Sequence, residues 1–236
     1  MSRLAALGRR LGLALLPARC LVCGEAGHHG QDLCLACRRA MPFNRVACAR
    51  CALPLPAPGT CGACLRQPPP FTASAAALVY RFPVDRLLPR FKFHGDLAAG
   101  RLLSQLMAEA FADAPRPQAL VPVPLHPSRL RRRGYDQALE LARPLARAFA
   151  LPLHADALRR VRATSAQSEL DAASRRHNVR SAFFARAGGL PGHVALVDDV
   201  MTTGATLAEC ARALQRAGVS RVDVWVAARA PLQDSA

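Results

Sequence analysis

The spacing of apolar residues predicts alternating strands and helices beyond residue 72. Continuous apolar runs predict strands at 74–82, 119–125, 193–200 and 221–229. Apolar residues at helical spacing predict helices at 98–114, 136–150 and 206–218. This alternation is typical of an α/β layer fold, in which crossover helices join parallel strands. In such a sheet, ligands bind beyond the carboxyl ends of the strands.

The pattern before residue 72 is different, and prolines separate the two parts. The sequence RQPPPF at 66–71 marks the boundary, because three successive prolines continue neither a helix nor a central strand. We predict an N-terminal helix and a cysteine-rich module at 1–66, a proline-rich linker at 67–71, and the α/β domain at 72–236.

The N-terminal stretch has early arginines and an apolar run at 11–16, as a secretion signal would. The run is about half the usual length, and Arg19 before Cys20 argues against a lipoprotein cleavage site. No segment approaches the roughly 18 apolar residues that span a bilayer. We therefore expect a cytoplasmic protein without a membrane span, whose first residues form an amphipathic helix packed on the rest.

Eight of the nine cysteines form four Cys-x-x-Cys pairs. The pairs are Cys20 and Cys23, Cys34 and Cys37, Cys48 and Cys51, and Cys61 and Cys64. Two pairs complete a closed tetrahedral Zn²⁺ site, so four pairs predict two structural zinc ions. Sequential grouping of the pairs is simplest, and interleaved grouping stays open. A disulfide framework is disfavoured, because it needs an oxidising compartment and we expect a cytoplasmic protein. A redox-active pair is also disfavoured, because four repeats of the same spacing fit structural metal sites better.

The net charge of +16 favours a polyanionic partner or a phosphate-rich substrate. Lys92 is the only lysine, and residues 1–66 carry nine arginines against two acidic residues, which favours nucleic acid as a partner of the cysteine module. Four arginines follow the strand at 119–125: Arg129, Arg131, Arg132 and Arg133. A loop of this kind suits pyrophosphate oxygens or a nucleic-acid backbone, and a solvated basic turn is the alternative.

The segment VALVDDVMTTGATL at 194–207 carries two adjacent carboxylates where a predicted strand ends. Asp198 and Asp199 suit either a Mg²⁺ site or the first turn of a helix. A third interpretation uses every residue, because the amides and hydroxyls at 202–206 can cradle a phosphate while the carboxylates hold ribose hydroxyls. The chain has neither the glycine-lysine loop of nucleoside triphosphate sites nor the glycine pattern of dinucleotide sites.

This segment resembles the phosphoribosyl pyrophosphate (PRPP) loop of the type I phosphoribosyltransferases. The resemblance implies that Asp198 and Asp199 are catalytic and contact the ribose 2′ and 3′ hydroxyls of PRPP bound with Mg²⁺. It implies that the 5′-phosphate lies in the following turn, formed by Thr202, Thr203, Gly204, Ala205 and Thr206. The segment at 159–183 corresponds to the loop that closes over the reacting ribose in that family, with arginines positioned to stabilise the departing pyrophosphate.

Three further segments, at 91–96, 120–142 and 165–183, resemble the ComF family of competence-associated proteins. That family joins an N-terminal zinc module to a phosphoribosyltransferase-like parallel sheet with flanking helices. The resemblance implies a role in natural transformation, with single-stranded DNA and competence proteins such as a helicase as partners. By position, the arginine-rich segment matches the family's pyrophosphate loop, and Arg131 and Arg133 are expected to bind PRPP. We expect Arg129, Arg132 and Lys92 to bind DNA.

Two functions stay open for such a chain. One is a phosphoribosyltransferase that uses PRPP and also binds single-stranded DNA. The alternative is a nucleic-acid-binding or PRPP-sensing module whose transferase pocket is vestigial. The sequence does not define the acceptor substrate.

Overall fold

The computed structural model describes residues 18–161, 182–186 and 188–231. In chain order its helices and strands are α1 (Leu35–Arg39), α2 (Gly62–Arg66), β1 (Ala73–Val79), α3 (Val84–Phe93), α4 (Leu97–Ala110), β2 (Ala119–Pro122), α5 (Pro127–Arg133), α6 (Gln137–Phe149), β3 (Leu158–Arg160), β4 (Phe183–Ala185), β5 (His193–Met201), α7 (Ala205–Arg216) and β6 (Arg221–Arg229).

Four parallel strands form the central sheet in the order β1-β6-β5-β2. β3 and β4 form a separate antiparallel pair. The predicted α/β fold with a parallel sheet and flanking helices is therefore confirmed. Strand β5 lies inside the sheet, and its register pairs Leu196 with Val121 on one side and with Val224 on the other.

The sheet is buried on both faces, which explains why its strands are continuous apolar runs. Alternate residues of β5 belong to different hydrophobic clusters. Ala195 and Val197 pack in the cluster that includes α3, α4 and α6. Val194 and Leu196 pack in the cluster that includes α7 and the β3–β4 pair.

Helix α3 is missing from the sequence prediction, which places no element at 84–93. Its four buried residues have helical spacing: Val84, Leu87, Leu88 and Phe91. Pro89 and several charged residues interrupt that pattern, and an internal proline normally argues against a helix. The apolar contacts of α3 outweigh this local preference.

The predicted arginine loop after β2 is wrong, because the arginines form helix α5. His126 is the N-cap and accepts a hydrogen bond from the amide of Ser128 at 3.3 Å, and Pro127 occupies the first turn. Gly134 ends the helix in the left-handed conformation, with φ of 83°. The arginines are therefore presented on a helix, and their directions are set by its 3.6-residue period.

The cysteine-rich module packs against the α/β domain. Cys20, Leu33 and Met41 lie in the same hydrophobic cluster as α3 and α4. The backbone at Phe43 forms an antiparallel bridge to Leu78, which covers the outer edge of β1. The boundaries at residues 66 and 72 stay a proposal.

Ion pairs also join the module to α4. Arg38 lies 2.6 Å from Glu109, and Asp32 pairs with Arg101. The predicted N-terminal helix lies outside the described residues. Among residues that the structure describes, no helix is long and apolar enough to span a membrane.

Candidate functional site

A polar pocket lies at the carboxyl ends of β2 and β5. The end of β5, the turn after it and the first turn of α7 form one side of the pocket. The chain after β2, helix α5 and the start of α6 form the other side. Lys92 enters from α3, and Arg160 enters from β3. The site therefore lies where the sheet topology predicts it.

The acidic pair belongs to strand β5 rather than to a helix. Asp198 Oδ1 accepts a hydrogen bond from the amide of Asp199 at 2.8 Å, and Asp199 Oδ1 accepts one from the amide of Val200 at 2.7 Å. The N-cap of α7 is Gly204, so neither carboxylate caps that helix. The helix-capping interpretation is therefore wrong, and both aspartates line the pocket.

Lys92 pairs with one of these carboxylates. Its ammonium nitrogen lies 2.8 Å from Asp199 Oδ2, and only 8% of the Asp199 side chain is exposed. Burial acts to lower the pKa of Lys92, but the charge of Asp199 and its hydrogen bond raise it above the usual value. The only lysine in the chain is thus charged and held inside the pocket.

Asp198 carries the most perturbed carboxyl of the pocket. Burial, followed by repulsion from Asp199, raises the pKa of Asp198 to about 8. Burial likewise raises the pKa of Asp136, whose side chain lines the same pocket. The pocket therefore holds carboxyls that resist ionisation until a cation or a hydrogen-bond donor compensates their charge.

We predict that Asp198→Asn raises the melting temperature at pH 8 by several degrees, and that the gain disappears near pH 4. The raised pKa of Asp198 means that the folded state keeps a proton that the unfolded state has lost. Wild-type stability is therefore lost as pH rises from about 4 through about 8, whereas asparagine has no proton to lose. Thermal unfolding at pH 4, 6 and 8 tests this, with Glu140→Gln as control, because the Glu140 side chain is 30% exposed and pairs with Arg143 on the same helix. A gain equal at every pH would contradict it.

The backbone of the turn after β5 can approach a bound anion closely. Gly204 has a φ of 76°, which lets the backbone turn directly into α7. The N-cap of α7 is Gly204, which has no side chain to accept a hydrogen bond from the first amides of the helix. Thr203 Oγ1 accepts a hydrogen bond from the amide of Ala205, but this bond is long, at 3.4 Å. Amides and hydroxyls at a helix N-terminus are a typical phosphate cradle.

Buried Arg229 ties this turn to the cysteine module. Its guanidinium donates to the carbonyls of Met201 at 3.1 Å and Thr202 at 2.6 Å. Its Nε donates to the carbonyl of Cys51 at 2.9 Å. One side chain on β6 therefore fixes the position of the turn relative to the second pair of cysteine knuckles.

The four arginines of α5 divide between two surfaces. Arg129 and Arg133 line the pocket, whereas Arg131 and Arg132 are exposed and lie outside its lining. Burial and the charges of Arg133 and Arg132 lower the pKa of Arg129. Helical spacing explains the division, since residues four apart share a face and their neighbours in sequence do not. Arg129 and Lys92, which were expected to bind DNA, line the pocket, whereas Arg131, which was expected to bind PRPP, does not.

Three further polar residues of the pocket were not among the predicted site residues: Asp136, Gln137 and Arg160. Asp136 accepts hydrogen bonds from the amides of Leu125 at 2.8 Å and Leu139 at 3.1 Å, which joins the chain after β2 to α6. Arg160 is only 7% exposed, with its guanidinium 5.3 Å from the Phe183 ring centroid. Arg160 lies in β3, whose sequence is Leu-Arg-Arg, and the sequence carries no signal that distinguishes it from its neighbour Arg159. Of the predicted closing loop at 159–183, residues 162–181 lie outside the described residues.

The cysteines form two clusters in the sequential grouping. Their members are Cys20, Cys23, Cys34 and Cys37 in the first cluster, and Cys48, Cys51, Cys61 and Cys64 in the second. Within each cluster the sulfur atoms all lie within 4.8 Å of one another. Sulfur atoms 3.7 Å apart, as in Cys23–Cys34 and Cys51–Cys61, match the roughly 3.8 Å edge of a tetrahedron with Zn–S bonds of about 2.3 Å. The clusters fit two structural zinc ions, which leaves no open position for chemistry.

Comparison with known proteins agrees with this architecture. Residues 12–65 match the double zinc ribbon domain, and residues 136–234 match the phosphoribosyl transferase domain. The chain is thus a phosphoribosyltransferase-domain protein that carries an N-terminal double zinc ribbon.

The chain is also similar to named bacterial proteins along nearly its whole length. It is 36% identical to the DNA utilization protein YhgH of Salmonella typhi, over 91% of this chain and 98% of that protein. It is 34% identical to the YhgH protein of Escherichia coli O157:H7, with the same coverage. It is 36% identical to competence protein F of Haemophilus influenzae, over 90% of this chain and 97% of that protein. The chain therefore belongs to the ComF family, as its sequence motifs predict.

Proposed function

We propose that the pocket binds PRPP together with Mg²⁺, and that the protein serves the use of DNA taken up by the cell. One observation supports the proposed binding of PRPP and Mg²⁺. The acidic pair of β5 and the turn at the start of α7 line a single pocket that also contains Lys92, Arg129 and Arg133. Carboxylates suit sugar hydroxyls, a helix N-terminus suits a monophosphate, and the cations suit pyrophosphate.

The sugar end of PRPP is assigned to Asp198 and Asp199. Their carboxyl oxygens accept hydrogen bonds from the ribose 2′ and 3′ hydroxyls, which neutral residues of similar size do less strongly. Lys92 offsets the charge of Asp199 in the free protein. When PRPP binds, the ammonium is close enough to the acidic pair to reach an oxygen of the ligand instead.

The two phosphate ends are assigned to opposite sides of the pocket. The 5′-phosphate lies in the turn at Thr202, Thr203, Gly204, Ala205 and Thr206. The pyrophosphate lies toward α5 and β3, where Arg129, Arg133 and Arg160 line the pocket. Mg²⁺ is a hard cation that prefers oxygen ligands, and the carboxyls of Asp198 and Asp199 fit such an ion. It supplies positive charge to the pyrophosphate when it is bound.

Thermal stabilisation tests this assignment. A ligand that binds only the folded state at 100 times its dissociation constant stabilises by about 2.7 kcal/mol. For a chain of this size, the melting temperature then rises by roughly 5–10 °C. We expect this rise with PRPP and Mg²⁺, and a smaller one with ribose 5-phosphate at equal concentration. No rise with PRPP would contradict the assignment.

The same pocket serves either a transferase or a protein that senses PRPP without turnover. A transferase releases pyrophosphate only when an acceptor is present. A pyrophosphate-release assay with nucleobases, amines and single-stranded DNA separates the two functions. Release with one acceptor class identifies the substrate, and binding without release with any of them favours the sensor.

The relatives named for DNA utilization and for competence support the role in DNA uptake. The exposed side chains of Arg131 and Arg132, together with a net charge of +16, support contact with the phosphates of single-stranded DNA. An interaction of this kind must weaken steeply as the salt concentration rises. A flat salt profile would count against it.

A further inference from the structure

Three consecutive side chains in the last turn of α3 lie in three different environments. Phe91 is fully buried, Lys92 reaches into the pocket to Asp199, and Phe93 is 65% exposed. An exposed phenyl ring next to a polar pocket gains nothing from the hydrophobic core. Phe93 follows Lys92 directly, and Arg133, which lines the pocket, lies over its ring.

An arginine of α5 holds a fixed position over this ring. The guanidinium carbon of Arg133 lies 5.2 Å from the centroid of the Phe93 ring. Arg133 Nη1 also donates to Gln137 Oε1 at 2.6 Å, and Gln137 is only 2% exposed. Because Arg133 lines the pocket as well, the ring and the guanidinium together border its mouth.

One more apolar residue extends this surface. Leu130 lies three positions before Arg133 on α5, so the two side chains share a face of that helix, and Leu130 is 40% exposed. We call Phe93, Leu130 and Arg133 the rim platform. It combines a flat ring, a planar cation and an aliphatic side chain. The exposed Arg131 and Arg132 lie on the same helix.

We propose that the rim platform stacks a nucleobase of a single-stranded nucleic acid whose backbone follows Arg131 and Arg132. Bases stack on aromatic rings and on guanidinium planes, whichever base is present, because every base has a flat π face. The neighbouring arginines select a polyanion rather than an uncharged apolar partner. The platform reads no base edge, so binding tolerates any sequence.

This inference rests on the proposed function of the pocket and deepens it. Because Arg133 belongs to both, a base stacked on the rim platform lies beside the place assigned to the pyrophosphate of PRPP. The pocket and the platform together define a site that takes a phosphoribosyl group and a nucleobase-containing strand side by side. Duplex DNA is excluded as the occupant, since its bases are already stacked on one another.

Binding of matched oligonucleotides to the zinc-loaded full-length protein tests the platform. A labelled twelve-residue oligothymidylate is compared with an abasic strand of the same length and charge. We expect Phe93→Leu to weaken binding of the thymidylate by about 5- to 100-fold and to leave the abasic strand unaffected. Phe82→Leu is the matched control, because Phe82 is 66% exposed and precedes the opposite end of α3, a helix about 15 Å long.

Equal binding of the thymidylate by Phe93→Leu and wild type would overturn the proposal. So would an equal loss for the abasic strand or for a duplex, since either would show that the effect is not base stacking. PRPP binding by the same variant separates this inference from the function of the pocket. If PRPP fails to bind while the base-dependent loss is seen, the platform stands and the pocket assignment fails. If PRPP binds and the base-dependent loss is not seen, only the platform fails.

Discussion

Removing zinc from the protein is expected to destabilise the whole chain, not only the cysteine-rich module. Cys20, Leu33 and Met41 belong to the hydrophobic cluster that α3 and α4 share. Structural zinc contributes of the order of 10 kcal/mol to the folding of small zinc modules. Loss of the metal therefore exposes part of the main core, and the melting temperature should fall by more than about 10 °C.

Single cysteine variants measure this effect with a matched control. Cys64→Ala removes one ligand of the second cluster, and we expect it to reduce the zinc content from two ions to one and to lower the melting temperature strongly. Cys210→Ala removes the ninth cysteine, which is buried in α7 and belongs to neither cluster. It should keep both ions and lose only about 1 kcal/mol of stability. Similar zinc contents in the two variants would contradict the assignment.

The second zinc site should also influence the pocket. Arg229 hydrogen-bonds to the carbonyls of both Cys51 and Thr202, so disorder around Cys51 frees the turn assigned to the 5′-phosphate. Below the melting temperature, Cys64→Ala is therefore expected to weaken PRPP binding more than Cys23→Ala does. Equal PRPP affinities in the two variants would show that the connection through Arg229 carries no coupling.

Replacing both carboxylates of β5 is expected to abolish PRPP binding. Each charged hydrogen bond to a buried group contributes about 1.5–3 kcal/mol, so the loss of two reduces the affinity by at least about 100-fold. Binding of PRPP and Mg²⁺ to Asp198→Asn/Asp199→Asn, measured by calorimetry, tests this. Glu140→Gln is the control, because Glu140 pairs with Arg143 on the surface of α6. Binding by the double variant within threefold of wild type would rule out the sugar contact.

The two single variants should differ in stability. Asp199→Asn removes the partner of Lys92 and leaves a partly buried ammonium without its carboxylate, which destabilises the protein. Asp198→Asn removes a carboxyl whose ionisation burial already opposes. Adding Lys92→Met to Asp199→Asn is expected to restore most of the lost stability, because the unpaired charge is then gone.

Local patterns predict much of this protein from its sequence. The cysteine spacing correctly predicts both metal clusters. The segment around Asp198 and Asp199 correctly predicts a strand, a turn and a helix in that order. In each case the residues that act together lie within a few dozen positions of one another. The fold class follows from the period of apolar residues alone.

Contacts between distant segments are what the sequence could not supply. Lys92 contacts Asp199 only because α3 packs beside the end of β5. The sequence does not predict α3, because Pro89 lies inside it and an internal proline argues against a helix. Arg229 meets Cys51 across 178 positions. The division of the α5 arginines depends on their being helical, which the run of charges after β2 does not reveal.

Calorimetric titration of the zinc-loaded wild-type protein with PRPP, with and without Mg²⁺, tests the pocket most directly. We predict saturable binding with one PRPP per chain, weaker without Mg²⁺ and absent in the variant that lacks both carboxylates. No saturable heat with PRPP and Mg²⁺ at millimolar concentration would contradict the assignment of the pocket.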